Sequence, residues 1–275
     1  MTNTKELSPD EQWENATLAN NFIFYKVMRH HPEECKKLIE ILLNVKIRKM
    51  EIHNEEVIDL DHDKKGIRLD VFVKEKERMY DIELQLVDTK ELPKRARYYS
   101  GLMALDTLKS GEPYILLRDS HVIFICMEDI FKKNLPVYSF ENICKEDNSI
   151  KLDDRDFKHF FIAPTCAKML ENQDQKAFFE LLVSNNPSND YTSSLKKYVD
   201  DAKHNMQWRF QYMTYQRIQY YAREEGRKEG LEEGRIENAK KLLKMNVLSP
   251  EQIAQATSLA LEKVLELQKE ITHKS

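Results

Sequence analysis

Six consecutive apolar residues at positions 122–127 (VIFICM) indicate a strand that is buried on both of its faces. Successive side chains of a strand alternate between its faces, and a strand that is apolar throughout is typical of a sheet covered by helices. Shorter strand patterns and helical patterns alternate around this run. The strand patterns lie at 47–52, 69–73, 79–86, 114–117 and 137–140, and the helical patterns at 18–28, 32–44 and 93–109. We therefore predict an α/β core over residues 15–165, with a mixed β-sheet flanked by helices.

The distribution of glycine indicates where this core and its attachments end. Three glycines precede position 225, whereas Gly226, Gly230 and Gly234 follow one another at four-residue spacing in a charged run. Glycine costs a helix interior about 0.8–1 kcal/mol relative to alanine, so this run is either a self-associating helix or a flexible connector. The predicted segments are a flexible N-terminus (1–14), the core (15–165), a helical layer packing on it (166–222), a charged helix or linker (223–237) and a small helical hairpin (238–275).

Composition excludes several classes of protein. A 41% share of hydrophobic residues is too high for a disordered chain, and no apolar run approaches the roughly 18 residues of a membrane span. The first residues lack the pattern of a secretory signal, and the four cysteines show no paired spacing, so we expect a cytoplasmic protein. The formal net charge of −4 argues against a protein coated in positive charge but allows a local basic surface and nucleic acid as a ligand.

Acidic side chains on two neighbouring strands are the best candidates for chemistry. In the second strand Asp81, Glu83 and Gln85 share one face, because strand side chains alternate. In the first strand, Asp70 faces away from its apolar neighbours, and a short polar link lets the two strands pair as a hairpin. If residue 70 stands opposite residue 83, their β-carbons lie about 4.5–5.5 Å apart.

Two carboxylates at that distance repel each other unless one is protonated or a cation lies between them. Mg²⁺ fits this requirement, because it prefers oxygen ligands and commonly retains waters and a phosphate oxygen. Polar residues on one face of a strand are equally typical of a sheet face exposed to solvent. The alternation alone does not decide between a metal site and a solvated face.

The order of motifs resembles a known nuclease family. Asp70, followed after a gap by Glu83-Leu84-Gln85, resembles the PD-(D/E)XK nuclease signature. The segments 66–71 (GIRLDV) and 81–85 (DIELQ) are similar to the Rpn family of recombination-promoting nucleases, in which transposase-like proteins are grouped. Further similar segments follow in the same order, at 92–99 (LPKRARYY), 111–114 (GEPY), 122–126 (VIFIC) and 138–142 (YSFEN). The resemblance covers about residues 16–240.

This resemblance implies a restriction-endonuclease-like core and metal-dependent DNA endonuclease activity, linked to recombination or mobile DNA. It implies that Asp70 and Glu83 bind the metal, Mg²⁺ with Mn²⁺ as an alternative. Gln85 occupies the place of the superfamily's usual lysine and completes the catalytic set as an orienting residue. Glutamine is uncharged, so the source of positive charge is left unexplained. Asn21, an accessory candidate, stands where relatives commonly have aspartate, which predicts weaker metal binding.

Four basic residues follow the carboxylate strand and are candidates for DNA binding: Lys90, Lys94, Arg95 and Arg97. Lys94 and Arg97 are three residues apart and so share one helix face. Contact with the phosphate backbone would give affinity without sequence readout, whereas the alternative is an ordinary solvated helix face.

The C-terminal segment favours a protein–protein contact. Ser249 is suited to cap a helix in which Pro250 takes the first position. The helix that follows carries Glu262, Glu266 and Glu270, which opposes placement in a DNA groove, so we expect a homo-oligomer through the C-terminal helices. Asn21 and this acidic tail also support an alternative function, a catalytically weak DNA-binding or assembly protein on a nuclease scaffold.

Overall fold

A computed structural model describes residues 7–52, 57–58, 67–68, 71–108 and 110–272 of the chain. The chain divides into two compact units, residues 1–209 and residues 210–275. The division falls inside one long helix, at residues 209 and 210.

The first unit is built on a six-stranded mixed sheet. In chain order the strands are β1 (Glu51–Ile52), β2 (Val57–Ile58), β3 (Ile67–Arg68), β4 (Val71–Lys74), β5 (Arg78–Gln85), β6 (Asp119–Cys126), β7 (Val137–Phe140) and β8 (Asp156–Ile162). The sheet order is β1-β4-β5-β6-β8-β7, and β2 pairs separately with β3. Strand β6 runs parallel to both β5 and β8, and the other pairs are antiparallel. Residues 122–125 of β6 are fully buried, which confirms the predicted central strand.

Helices surround this sheet. They are α1 (Pro9–Glu14), α2 (Asn21–His30), α3 (Pro32–Leu43), α4 (Leu92–Thr107), α5 (Ala163–Met169), α6 (Gln173–Ser184), α7 (Asp190–His204) and the start of α8 (Met206–Met245). The sequence explains their ends: the Asn20 side chain accepts a hydrogen bond at the start of α2, and Asn44 in the left-handed conformation ends α3. Within the described residues, no helix is both long and apolar enough to cross a bilayer.

The two faces of the sheet are covered by different helices. On one face, Phe72, Met79 and Phe124 belong to a core cluster with residues of α4 such as Leu92 and Tyr99. On the other face, Phe161 of β8 stacks on Phe179 of α6, with ring centroids 5.8 Å apart. Because β6 and its neighbours are buried from both sides, the prediction of a mixed sheet flanked by helices is confirmed.

Three local features differ from the sequence-based expectations. The strand predicted at 114–117 is wrong: Tyr114–Leu116 form a 3₁₀ turn, Ile115 is 89% exposed, and the strand pairs of the described sheet do not include these residues. Strand β8 was missed, because polar residues interrupt its first half. Part of the segment predicted as flexible forms α1, which Ser8 caps and which buries Trp13.

The second unit contains the C-terminal part of α8 and two short helices, α9 (Pro250–Thr257) and α10 (Leu261–Thr272). Ser249 caps α9 through a reciprocal pair of hydrogen bonds with Gln252, and Pro250 takes the first helical position as predicted. The unit has a small apolar core formed by Ala239, Ile253, Leu259, Val264 and Leu267. Residues 223–237 lie within α8 and are helical, and whether this helix self-associates stays a prediction.

Candidate active site

Strand β5 carries three polar side chains on the face that α4 covers. Asp81, Glu83 and Gln85 alternate with Ile82 and Leu84, which point to the other face. Asp81 is fully buried and Glu83 is 2% exposed. The solvated sheet face that the sequence allowed is therefore excluded for these two carboxylates. Burying a carboxylate is unfavourable unless hydrogen bonds, a cation or protonation compensates it, so each of these two acids needs such compensation.

Arg95 of α4 supplies positive charge at Glu83. Its Nη2 atom donates a hydrogen bond to Glu83 Oε2 at 2.7 Å, and its Nη1 atom donates to Gln85 Oε1 at 3.3 Å. One guanidinium thus contacts two side chains that are neighbours on the same face of β5. Charge-assisted hydrogen bonds of this kind are short and about twice as strong as neutral ones.

Tyr99 holds the same guanidinium from one helical turn further along α4. Arg95 Nη2 and Nε donate to the Tyr99 hydroxyl oxygen at 2.8 Å and 3.2 Å. Burial raises the pKa of Tyr99, and the negative charge of Glu83 raises it further, so the hydroxyl stays protonated at neutral pH. The guanidinium carbon also lies 5.7 Å from the centroid of the Phe124 ring, on the strand beside β5.

The second carboxylate of the predicted metal pair, Asp70, lies outside the described residues. The described pairing of β4 with β5 ends at Val71, which stands opposite Ile82. Among the residues that the structure describes, no group of three or more His, Cys, Asp or Glu side chains is placed to hold a metal ion. The donors present still suit a divalent cation, because Asp81 and Glu83 offer the carboxylate oxygens that Mg²⁺ prefers.

The other predicted site residues lie at three places. Lys94 and Arg97 are exposed on the side of α4 away from its apolar contacts, and Lys90 is exposed two residues before the helix begins. Arg95 was grouped with them from the sequence, but its side chain is only 29% exposed and contacts Glu83 and Gln85 instead. Asn21 is exposed at the first position of α2, where the neighbouring residue provides the helix cap.

A sequence signal for the role of Arg95 was present and was missed. Arg95 lies three residues after Leu92 and four before Tyr99, so it shares their face of α4. A charged residue within the apolar stripe of a helix must meet a polar group in the core, because buried charges are otherwise costly. Grouping Arg95 with the exposed basic residues left its place on the buried face of α4 unrecognised.

A mixed sheet flanked by helices, with buried acidic residues and a glutamine on one strand, is consistent with a PD-(D/E)XK-type α/β core. The family model described as PD-(D/E)XK nuclease family transposase matches residues 22–177, which is more than half of the 275-residue chain. The chain belongs to this family, and the family indicated by the order of motifs is thereby confirmed. Neither a curated protein nor a solved structure gave a match.

Proposed function

We propose that this chain is a Mg²⁺-dependent DNA endonuclease that hydrolyses phosphodiester bonds, with Mn²⁺ as an alternative ion. The observation that carries the proposal is the buried Glu83 beside Gln85 on one face of β5, inside the region that matches the nuclease family. A buried carboxylate held by a guanidinium is costly to maintain for packing alone. This carboxylate belongs to the Glu83-Leu84-Gln85 motif, and its position there supports a role in the chemistry.

We further propose that Asp70 acts together with Glu83, as the sequence pattern predicts. The described register places Val71 opposite Ile82 and Phe72 opposite Asp81, and continuing it would bring residue 70 opposite residue 83. Directly opposite residues have β-carbons about 4.5–5.5 Å apart, a distance at which two carboxylates can share one ion. Asp70 and Glu83 are therefore the proposed metal ligands.

The proposed reaction assigns a role to each side chain. A bound divalent ion supplies Lewis acidity at a phosphate oxygen and lowers the pKa of a coordinated water. Asp70 and Glu83 would hold the ion, and the positive charge of that ion explains how an acidic site can act on an anionic substrate. Gln85 orients the attacking water or a phosphate oxygen by hydrogen bonding and does not act as a general base, because a carboxamide cannot accept a proton at neutral pH.

DNA is the proposed partner, held by the exposed cations at the start of α4. Lys94 and Arg97 are exposed on α4 and Lys90 is exposed just before it, and Arg95 of the same helix contacts Glu83 of β5. The exposed cations therefore lie on the segment that also contacts the proposed metal ligand. Contacts of this type give affinity for any sequence and weaken as salt increases. A link to recombination or mobile DNA is part of the proposal and is supported by the transposase description of the family.

The second candidate is a catalytically weak DNA-binding or assembly protein that retains the nuclease scaffold. Asn21 favours it, because an amide stands at the position where the resemblance implies aspartate, and an amide binds a divalent ion more weakly than a carboxylate. On this alternative the exposed cations of α4 still bind DNA.

Nicking of supercoiled plasmid separates the two candidates. We expect the purified chain to nick plasmid with Mg²⁺ and not with EDTA, and we expect Asp70→Ala and Glu83→Ala each to abolish nicking. The matched control is Glu171→Ala, which removes an exposed acid and should leave nicking unchanged. Far-UV circular dichroism checks that each variant is folded. Nicking by folded Asp70→Ala at the wild-type rate would refute the metal role, and DNA binding with no metal-dependent nicking would favour the second candidate.

A further inference from the structure

The position of the superfamily's lysine is filled by the uncharged Gln85, yet the structure brings a permanent cation to the same place. We propose that Arg95 is a positioning residue that supplies this positive charge and sets the orientation of the Gln85 carboxamide. The inference rests on the proposed function and assigns to α4 a role that the strand motif alone does not contain. Arg95 follows Glu83 by 12 residues and Gln85 by 10 residues.

The charge of Arg95 is fixed. A guanidinium remains protonated under all ordinary conditions, and its planar fork of N–H donors suits two acceptors at once. Arg95 Nη2 lies 2.7 Å from Glu83 Oε2, so the positive charge is in direct contact with the proposed metal ligand. A cation of this kind offsets negative charge beside the reacting phosphate, as a lysine at position 85 would.

The contact with Gln85 determines which end of its carboxamide faces the substrate. Arginine has only donors, so the group that meets Arg95 Nη1 at 3.3 Å must be the carboxamide oxygen. The Gln85 NH₂ group is then directed away from the guanidinium. Gln85 is thus presented as a hydrogen-bond donor, which is the property it shares with the lysine it replaces.

Tyr99 makes this orientation rigid. Its hydroxyl oxygen accepts from Arg95 Nη2 at 2.8 Å and from Nε at 3.2 Å, so contacts on Nη1, Nη2 and Nε fix the plane of the fork. A guanidinium restrained in this way loses little further freedom when a substrate binds. The residue can therefore act as a fixed part of the site.

Arg95 is expected to affect metal binding at Glu83, which an ion pair remote from the proposed metal ligands would not do. Arg95 and a divalent ion both interact with the carboxylate of Glu83, and like charges that share a ligand repel each other. Arg95 should therefore weaken metal binding while it assists cleavage. Removing its charge is expected to change these two properties in opposite directions.

The test compares Arg95→Gln and Arg95→Lys with the wild-type chain in two assays. Mn²⁺ affinity is measured without DNA by calorimetry, and plasmid nicking is measured with saturating Mn²⁺. We expect Arg95→Gln to bind Mn²⁺ about tenfold more tightly and to nick at least about tenfold more slowly. We expect Arg95→Lys to keep the wild-type Mn²⁺ affinity and to nick more slowly, because an ammonium cannot hold Glu83 and Gln85 in one plane. Arg217→Gln, an exposed arginine of α8, is the matched control and should change neither.

Each outcome has a defined meaning. Unchanged Mn²⁺ affinity and unchanged nicking in folded Arg95→Gln overturn the inference and leave the proposed function intact. A wild-type chain that neither binds Mn²⁺ nor nicks DNA overturns the proposed function, and this inference with it. If circular dichroism shows that Arg95→Gln does not fold, Arg95→Lys decides: slower nicking at wild-type Mn²⁺ affinity supports the inference, and any other result overturns it.

Discussion

The two partners of the Arg95–Glu83 ion pair are buried to different degrees, so their removal is expected to cost different amounts of stability. Glu83 is 2% exposed, whereas the Arg95 side chain is 29% exposed. Removing one partner of a buried pair typically costs about 3–5 kcal/mol, because the remaining charge stays away from water. A partly exposed charge recovers hydration and costs much less.

From these exposures we expect Arg95→Gln to lower the free energy of unfolding by about 3 kcal/mol, because Glu83 then stays buried without this guanidinium. We expect Glu83→Gln to cost only about 1 kcal/mol, because the Arg95 head group can turn towards solvent. The double variant should cost less than the sum of the two by about 2 kcal/mol, since it leaves neither charge behind.

Urea denaturation followed by tryptophan fluorescence measures these differences. The chain has two tryptophans, Trp13 and Trp208, and both belong to the first unit, so the signal reports the unit that contains the ion pair. EDTA in the buffer removes divalent ions that would stabilise the native state. Lys151→Gln is the control, because its exposed pair with Glu141, also in the first unit, should contribute less than about 0.5 kcal/mol. Equal costs for the two single variants, or strict additivity in the double variant, would refute the reasoning.

Three further predictions concern other parts of the chain. Burial is the main cause that lowers the pKa of His121 to about 3 and that of His159 to about 4, from the ordinary 6.5. Unfolding below pH 6.5 therefore takes up protons, and the free energy of unfolding should fall as the pH drops from 6.5 towards 4. In urea titrations, the variant with both histidines changed to Asn should show a flatter dependence of stability on pH. Ser249→Ala removes the cap of α9 and should destabilise the second unit by about 1 kcal/mol, measured by thermal unfolding followed by circular dichroism. Neutralising Lys94 and Arg97 together should reduce the slope of log affinity against log salt by up to about 2 in fluorescence anisotropy with duplex DNA, and an unchanged slope would count against phosphate contact.

The sequence was sufficient to predict the central strand of the sheet and the polar face of β5. An apolar run such as 122–127 has few alternatives to a buried strand, and alternation places Asp81, Glu83 and Gln85 together without further information. The register of β4 with β5 agrees with the hairpin expected from the short link between them. These features are local, so a local pattern can specify them.

The features that sequence analysis missed depend on contacts between distant segments. In the sequence, Arg95 looks like one of several neighbouring cations, because its partner Glu83 lies 12 residues away on β5 and meets it only when α4 packs on the sheet. The apolar residues around Ile115 have the sequence pattern of a strand, but in the structure they form an exposed 3₁₀ turn that pairs with no strand of the described sheet. Strand β8 has a mixed pattern because only its second half is deeply buried.

A crystal structure grown with Mn²⁺ tests the proposed ion-binding pair most directly, because anomalous scattering locates the metal independently of any activity. We predict one peak coordinated by a carboxylate oxygen of Asp70 and one of Glu83, with Arg95 remaining beside the second ligand. A peak elsewhere, or carboxylates of residues 70 and 83 on opposite faces of the sheet, would contradict the proposed site.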